Sequence, residues 1–261
     1  MTTDTNPQRW FATGGQAYAE FRPQYPATLA QALAQLAPTR RVALDVGCGS
    51  GQLTQLLASQ FEQVIGLDPS RSQLEHASGA QNVRYDVAAA EQLPLGDGTV
   101  SLLTAAQAAH WFDLPQFYAQ AQRVLCADGV IALISYGVLS IADAPLQARF
   151  QQFYDQEIAS YWPPQRQLVD SGYATLDFPF EALPAPACTI EQAWDLAQLL
   201  GYVSTWSAVQ QVHAAQRSDL LERFAADMAA LWGAPEVVRR ITWPVRMRLG
   251  KKAAQPASAA R

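Results

Sequence analysis

The sequence predicts an α/β fold: a mostly parallel sheet with helices on both faces. Three observations carry this. Short apolar runs recur through the first half of the chain, each closed by turn residues. Helical patterns lie between them. A glycine-rich segment, Leu44-Asp45-Val46-Gly47-Cys48-Gly49-Ser50-Gly51, joins the first run to the first helical pattern. Strands alternating with helices at this spacing form βαβ units, whose crossovers cover both faces of a parallel sheet.

The elements follow in order. Arg41–Val46 (RVALDV) ends in the glycine-rich segment, and Gln63–Leu67 (QVIGL) runs into Asp68-Pro69. Asn82–Tyr85 is a weaker candidate, and Val100–Thr104 and Val130–Tyr136 complete the set. Short apolar runs bounded by turn signals read as buried strands. Between them the pattern predicts helices over Leu53–Gln60, Ser70–Ser78 and Leu114–Leu125. Ser70 with Gln73 three residues on predicts a capping box. Pro115 falls in a first helical turn, which tolerates it.

The second half differs. From Phe150 to Trp206, 11 of 57 residues are aromatic against 10% in the whole chain, so the composition shifts near residue 140. Ile190–Leu200 and Arg217–Leu231 read as amphipathic helices, Ile241–Leu249 as a final strand, and Lys251–Arg261 as a frayed tail.

Composition removes several classes of function. The net charge is −5, which argues against a binder of nucleic-acid backbone, since that needs a basic patch. Hydrophobic residues make up 49%, too many for a disordered chain of low net charge. The uncharged stretches Gly98–Phe112 and Gly129–Ala142 are each too short for the ~20 apolar residues of a membrane span. Met1–Trp10 is polar and shows no signal-peptide pattern. Cys48, Cys126 and Cys188 are odd in number and far apart, so neither a disulfide framework nor a metal site is expected, and a reducing cytoplasm is the natural compartment.

The glycine-rich segment carries most of the chemistry. Alternate glycines let the backbone turn sharply and let a ligand approach without interference from a Cβ. The following helix offers free N–H groups. Asp68, seventeen residues past Gly51 at the end of the next strand, is placed to accept hydrogen bonds from a ribose diol. Together they predict an adenosine-containing ligand across the carboxyl ends of the strands. The spacing Gly47-x-Gly49-x-Gly51 fails the dinucleotide pattern G-x-G-x-x-G, because no glycine stands at its third position. Asp45 at the loop entrance suits a cationic ammonium better than a pyrophosphate. S-adenosylmethionine carries such a group.

Here the sequence resembles the class I S-adenosylmethionine-dependent methyltransferases. Leu44–Gly51 is similar to their first motif, Ile65–Ser70 (IGLDPS) to their second, and Ala88–Pro94 (AAAEQLP) to their adenine-side motif. Thr104–Asp113 and Ala121–Leu125 with Gly129 resemble their fourth strand and the helix after it. Tyr18, Phe21, Arg22-Pro23 and Tyr25-Pro26, with Tyr161-Trp162, Tyr173, Phe178–Phe180 and Gly201–Ala208, resemble a subgroup similar to trans-aconitate methyltransferase. The resemblance covers about residues 10–250. It departs at Ala89, where relatives carry an Asp that binds the adenine amino group, and at Ser101, where an Asp is common.

The resemblance implies a Rossmann-like, seven-stranded sheet with a helical, aromatic-rich elaboration after the fifth strand. Residues 1–140 would form the cofactor-binding core with its N-terminal helix, 141–235 a helical cap with an edge strand, 236–250 the returning strand and 251–261 a tail. It implies that S-adenosylmethionine contacts Tyr18, Arg22, Asp45, Gly47, Gly49, Asp68, Pro69, Ala90, Glu91, Ala106 and Gln107. Asp45 either anchors the ammonium, directly or through water, or caps the loop amides. Arg22, on one face with Tyr18, either binds the cofactor carboxylate or caps its own helix. Ala106 or Gln107 presents a carbonyl to the ammonium, and Ala90 and Glu91 lie beside adenine. His110 is a candidate general base or a structural histidine. Trp111, Tyr161, Trp162 and Trp206 line an acceptor pocket or belong to plain core. The implied function is a direct displacement in which a small organic acceptor, carboxylates among the candidates, attacks the sulfonium methyl group and S-adenosylhomocysteine leaves. A non-catalytic cofactor-binding regulator on the same fold is the alternative.

Overall fold

The computed structural model describes residues 21–253. In chain order the elements are α1 (Ala27–Leu36), β1 (Val42–Val46), α2 (Gln52–Ala58), β2 (Gln63–Asp68), α3 (Arg71–Leu74), β3 (Val83–Val87), β4 (Val100–Ala106), α4 (Leu114–Val124) and β5 (Leu125–Tyr136). They continue with β6 (Ser140–Ile141), α5 (Ala144–Gln152), α6 (Arg166–Asp170), β7 (Glu181–Leu183), β8 (Cys188–Trp194), α7 (Leu196–Ser204), α8 (Ser207–Ala214), α9 (Ser218–Trp232) and β9 (Arg239–Lys251). The chain divides into two compact units. A sheet unit takes in Tyr25–Gly137, Gln167–Thr189 and the chain from Pro244 onward. A helical unit takes in Val138–Arg166, Ile190–Trp243 and the described residues before Tyr25.

In the sheet unit the strand order is β3-β2-β1-β4-β5-β9-β7. The first five strands run parallel, in registers such as Leu44↔Ile65, Asp45↔Thr104 and Leu103↔Ile131. Strand β9 is antiparallel to β5 through Leu133↔Arg248, and to β7 through Ala182↔Gly250. This is the mostly parallel, Rossmann-like sheet that the sequence predicts, with the aromatic-rich helical insertion following β5. Leu44, Leu67, Leu102, Leu103, Leu133 and Ile134 are fully buried, each contributing about 1.5–3 kcal/mol. The chain reverses its direction of travel across the sheet between β1 and β4. In open α/β sheets the crevice at such a switch point is where ligands bind.

Local chemistry explains the boundaries. The Asp113 carboxylate accepts from the Gln116 N–H at 3.2 Å and caps α4, whose first turn holds Pro115 as expected. The helix expected over Ser70–Ser78 shrinks to the four residues of α3, and its capping box does not form. Asp68 takes the Ser70 N–H at 2.8 Å, while the Ser70 hydroxyl turns to the Ser72 hydroxyl at 2.9 Å. The helix expected over Ile190–Leu200 is also corrected: residues up to Trp194 form β8, and α7 begins only at Leu196. Ile190 and Trp194 are buried on one side of β8, a spacing that suits a strand. Asp195 and Gln198 form the reciprocal capping box that starts the helix.

The helical unit is built on aromatic contacts. Phe153 stacks on Phe224 at 3.9 Å, and Trp194 meets Trp243 edge-on at 4.8 Å. Strand β6 pairs with the start of β9 through Ile141↔Ile241. Arg149 on α5 is one-tenth exposed and bridges Glu157 at 3.1 Å and Asp227 at 2.8 Å. Among the described residues no helix is long and apolar enough to cross a membrane.

Candidate functional site

The carboxyl ends of β1, β2 and β4 bring most of the expected residues together. Asp45 on β1 is 1% exposed. The Thr54 hydroxyl from α2 donates to its Oδ2 at 2.7 Å, and the Thr104 hydroxyl from β4 donates to its Oδ1 at 2.8 Å. Burial pushes its carboxyl up from 3.8 to about 6, although both hydroxyls act to lower it. Asp45 therefore ties two strands to the helix that follows the glycine loop. It does not cap the loop amides of Gly47, Cys48 or Gly49: the first two donate to the Leu67 carbonyl at 2.7 and 3.0 Å, and the third donates to Asp68.

Gly47 and Gly49 have φ of +69° and +55°, which favours glycine at both. A Cβ on Gly47 would stand 2.5 Å from the Ala108 Cβ, so β4's loop packs directly on the turn. A Cβ on Gly49 would meet only the Gln73 Oε1 at 3.9 Å, so this face of the loop is open to a ligand. Asp68, 8% exposed, accepts the Gly49 N–H at its Oδ2 and the Ser70 N–H at its Oδ1, both at 2.8 Å. Each oxygen keeps a further lone pair for an outside donor. Pro69 follows it at the surface.

Tyr85 on β3 was not singled out from the sequence. Its ring lies where a Cβ of Gly51 or Gly66 would be, and its hydroxyl donates to the Ser78 carbonyl at 2.9 Å. It supports the glycine loop from beneath. The signal was the facing of Gly66 and Tyr85 across β2 and β3, which only the register reveals.

After β3, Ala90 is buried and the Glu91 Oε1 accepts the Asp113 N–H at 2.9 Å. After β4, Gln107 adopts φ +54°; its N–H donates to the Ile134 carbonyl at 2.8 Å and its Nε2 to the Tyr136 carbonyl at 3.3 Å. Ala106 ends β4 and is half-buried. A non-glycine residue held in the left-handed region is uncommon and clusters at functional turns. His110 and Trp111 occupy the short 3-10 turn that follows. His110 Nδ1 lies 3.0 Å from the Tyr173 hydroxyl, and Trp111 is 69% exposed. Burial, with Asp45 and Asp68 nearby, pushes the Cys48 thiol up, which suits an inert thiol rather than a nucleophile. Ser101 is buried with its hydroxyl 2.7 Å from that of Thr39, a structural contact.

The remaining candidates lie in the helical unit. Arg22 Nη2 donates to the Thr205 carbonyl at 3.4 Å, and its guanidinium stands 5.9 Å from the Tyr202 ring centre. Trp206, 4% exposed, packs against Trp162 at 5.3 Å, Tyr202 at 5.5 Å and Tyr154 at 5.6 Å. Arg166 lies over Trp162 at 4.8 Å. Tyr161 is half-buried and interacts with Arg217. Tyr18 lies outside the described residues. Among the described residues no group of His, Cys, Asp and Glu has the arrangement of a metal site.

Comparison with known proteins adds the family. The methyltransferase-domain family matches residues 44–133, from β1 into β5. A protein named as a methyltransferase in Dictyostelium discoideum is 33% identical over 258 residues, covering 97% of this chain and 98% of its own length. One named as an S-adenosylmethionine-dependent methyltransferase in Saccharomyces cerevisiae is 31% identical over 137 residues, 49% of this chain and 47% of its own. A solved structure named as a type II methyltransferase from Anaeromyxobacter dehalogenans is 42% identical, with a TM-score of 0.85 over 90% of this chain and 100% of that one. On this sheet, this glycine loop and these relatives, the chain belongs to the class I S-adenosylmethionine-dependent methyltransferases.

Proposed function

We propose that this chain binds S-adenosylmethionine at the carboxyl ends of β1, β2 and β4 and uses it to methylate a small organic acceptor, with carboxylates as the first class to test. The observation that carries the reading is the Asp68 carboxylate, fixed by the N–H groups of Gly49 and Ser70 beside the open face of Gly49. That donor set fits the cofactor. Asp68 accepts from the ribose hydroxyls, with Pro69 beside it. Gly47 and Gly49 let the methionine part approach the backbone, and the carbonyls of Ala106 and Gln107 accept from its ammonium. Ala90 and Glu91 flank adenine. Asp45, with both oxygens held by hydroxyls, shapes the loop and adds negative charge behind it. When bound, the cofactor supplies a sulfonium-activated methyl group.

Methyl transfer is catalysed chiefly by holding the acceptor in line and away from water. We assign an acceptor contact to Trp111. His110 serves as general base for an acceptor that must lose a proton, whereas a carboxylate needs none. A small acceptor is supported by the net charge of −5 and by the aromatic composition of the helical unit. The free thiols of Cys48, Cys126 and Cys188 support a reducing, cytoplasmic location.

A radiolabelled-methyl transfer screen over small carboxylic acids, amines and phenols, with protein and RNA as comparison arms, tests this. Label in a small molecule is the expected result. Label only in macromolecules overturns the acceptor class, and binding without transfer to any arm favours a non-catalytic regulator.

A further inference from the structure

The failed capping box at the start of α3 leaves a side chain free beside the site. In that motif the Gln73 carboxamide would reach back to the Ser70 N–H. Instead Asp68 Oδ1 holds that N–H at 2.8 Å. The Gln73 N–H donates to the Ser70 carbonyl at 3.1 Å, while the Ser70 hydroxyl pairs with that of Ser72. Gln73 is half-buried, and its carboxamide makes no hydrogen bond among the described residues. Its place is specific all the same. A Cβ on Gly49 would find the Gln73 Oε1 at 3.9 Å, and no other group among the described residues borders that face of the loop within 4 Å. The N–H of the same Gly49 donates to Asp68 Oδ2 at 2.8 Å. The free carboxamide of α3 therefore edges the open face of the glycine loop next to Asp68. Gly49, Asp68 and Gln73 all belong to the sheet unit.

We propose that Gln73 is a further cofactor-binding residue, whose carboxamide N–H donates to a ribose hydroxyl oxygen of the adenosyl group that Asp68 holds. The proposal rests on reading these strand ends as the S-adenosylmethionine site, and it names the donor that the ribose subsite otherwise lacks. An ionised carboxylate only accepts. Asp68 can take the protons of the ribose hydroxyls, but it offers nothing to the lone pairs on their oxygens. A carboxamide carries two N–H donors. Its terminal torsion is broad, and with no bond of its own to break it is free to turn an N–H toward the ligand. A glutamate at the same place would supply no donor and would set a like charge beside Asp68. A glutamine that served the helix surface alone would have no bearing on the ligand.

The test is calorimetric titration of the wild type, Gln73→Met and Gln73→Glu with S-adenosylhomocysteine and with its 2′-deoxy and 3′-deoxy ribose analogues. Methionine keeps the length of the side chain and removes its polar end. Gln73→Met should bind S-adenosylhomocysteine about threefold to tenfold more weakly than the wild type, the worth of one neutral hydrogen bond. With the analogue that lacks the contacted hydroxyl, that difference should shrink to less than about twofold. Gln73→Glu should bind S-adenosylhomocysteine more weakly than Gln73→Met. Affinity of Gln73→Met within about twofold of the wild type overturns the proposal. So does a loss of the same size with both deoxy analogues, because the contact would then lie elsewhere than on the ribose. Binding by Gln73→Glu tighter than by Gln73→Met overturns the donor role. Each variant decides by itself, so one that fails to fold leaves the other to settle the matter. A wild type that does not bind S-adenosylhomocysteine sinks the cofactor reading and this contact with it, whereas a binding wild type with an unaffected Gln73→Met sinks the contact alone.

Discussion

Replacing Asp45 by Asn should remove a defined part of the pH dependence of folding. In the folded chain burial raises this carboxyl from 3.8 to about 6, so the native state holds its proton more tightly than the unfolded chain does. Between those two values the folded chain binds a proton that the unfolded chain has released, so stability falls as pH rises through the window. At neutral pH the ionised carboxylate costs the folded state about 3 kcal/mol relative to acid conditions, and about 2 kcal/mol of that is relieved on going from about pH 7 to about pH 4.5. Asparagine keeps the shape and does not titrate. Its amide oxygen accepts from Thr54, its amide N–H donates to the Thr104 oxygen, and the Thr104 hydroxyl can turn to the Leu44 carbonyl, 3.4 Å away. Urea unfolding of both proteins at the two pH values reads the effect directly. The wild-type minus variant stability should rise by about 2 kcal/mol toward acid. A difference constant to within about 0.5 kcal/mol would refute the reasoning that burial sets the state of Asp45.

Three further outcomes follow from local geometry. Gly51→Ala places a Cβ on the Tyr85 hydroxyl at a φ of +84°, and should cost about 1–3 kcal/mol in urea unfolding; an unchanged midpoint would show that Tyr85 does not support the loop. Arg149→Ala strands Glu157, whose side chain is 14% exposed, and should cost about 3 kcal/mol; Asp227→Ala should cost about 1 kcal/mol or less, because that side chain is 46% exposed, and equal losses would contradict this ranking. Trp111→Ala removes a ring that is 69% exposed and should change stability by no more than about 0.5 kcal/mol. It should leave calorimetric affinity for S-adenosylhomocysteine unchanged and lower methyl transfer to the acceptor; a large loss of affinity would move Trp111 into the cofactor site.

Where apolar runs were short and bounded by turn residues, the sequence was enough. The strands around Leu44, Leu67, Leu103 and Leu133 are buried on both faces, so hydrophobicity alone marks them. The glycine loop and Asp68 were legible because they sit beside those strands in sequence. Residues 188–204 misled because apolar spacing in a short window suits a helix or a strand, and the deciding signal was Asp195 with Gln198. Ser70 misled for another reason: Asp68 takes its N–H and the Ser72 hydroxyl engages its hydroxyl, so neither half of the box forms. Tyr85 escaped because its importance lies in what it faces across the fold, Gly66 on the neighbouring strand. For Trp162 and Trp206, aromatic composition showed a cluster, and the structure shows that each packs on its neighbours in the helical unit.

The central claim is that the strand ends around Asp68 hold S-adenosylmethionine. Calorimetric titration of S-adenosylhomocysteine into the wild type and into Asp68→Asn tests it most directly, with near-UV circular dichroism to show that both remain folded. Hydrogen bonds to a charged group are worth about 1.5–3 kcal/mol, so the account predicts saturable binding to the wild type and affinity weakened by about tenfold to a hundredfold in the variant. A wild type that does not bind, or a folded Asp68→Asn with undiminished affinity, would contradict it.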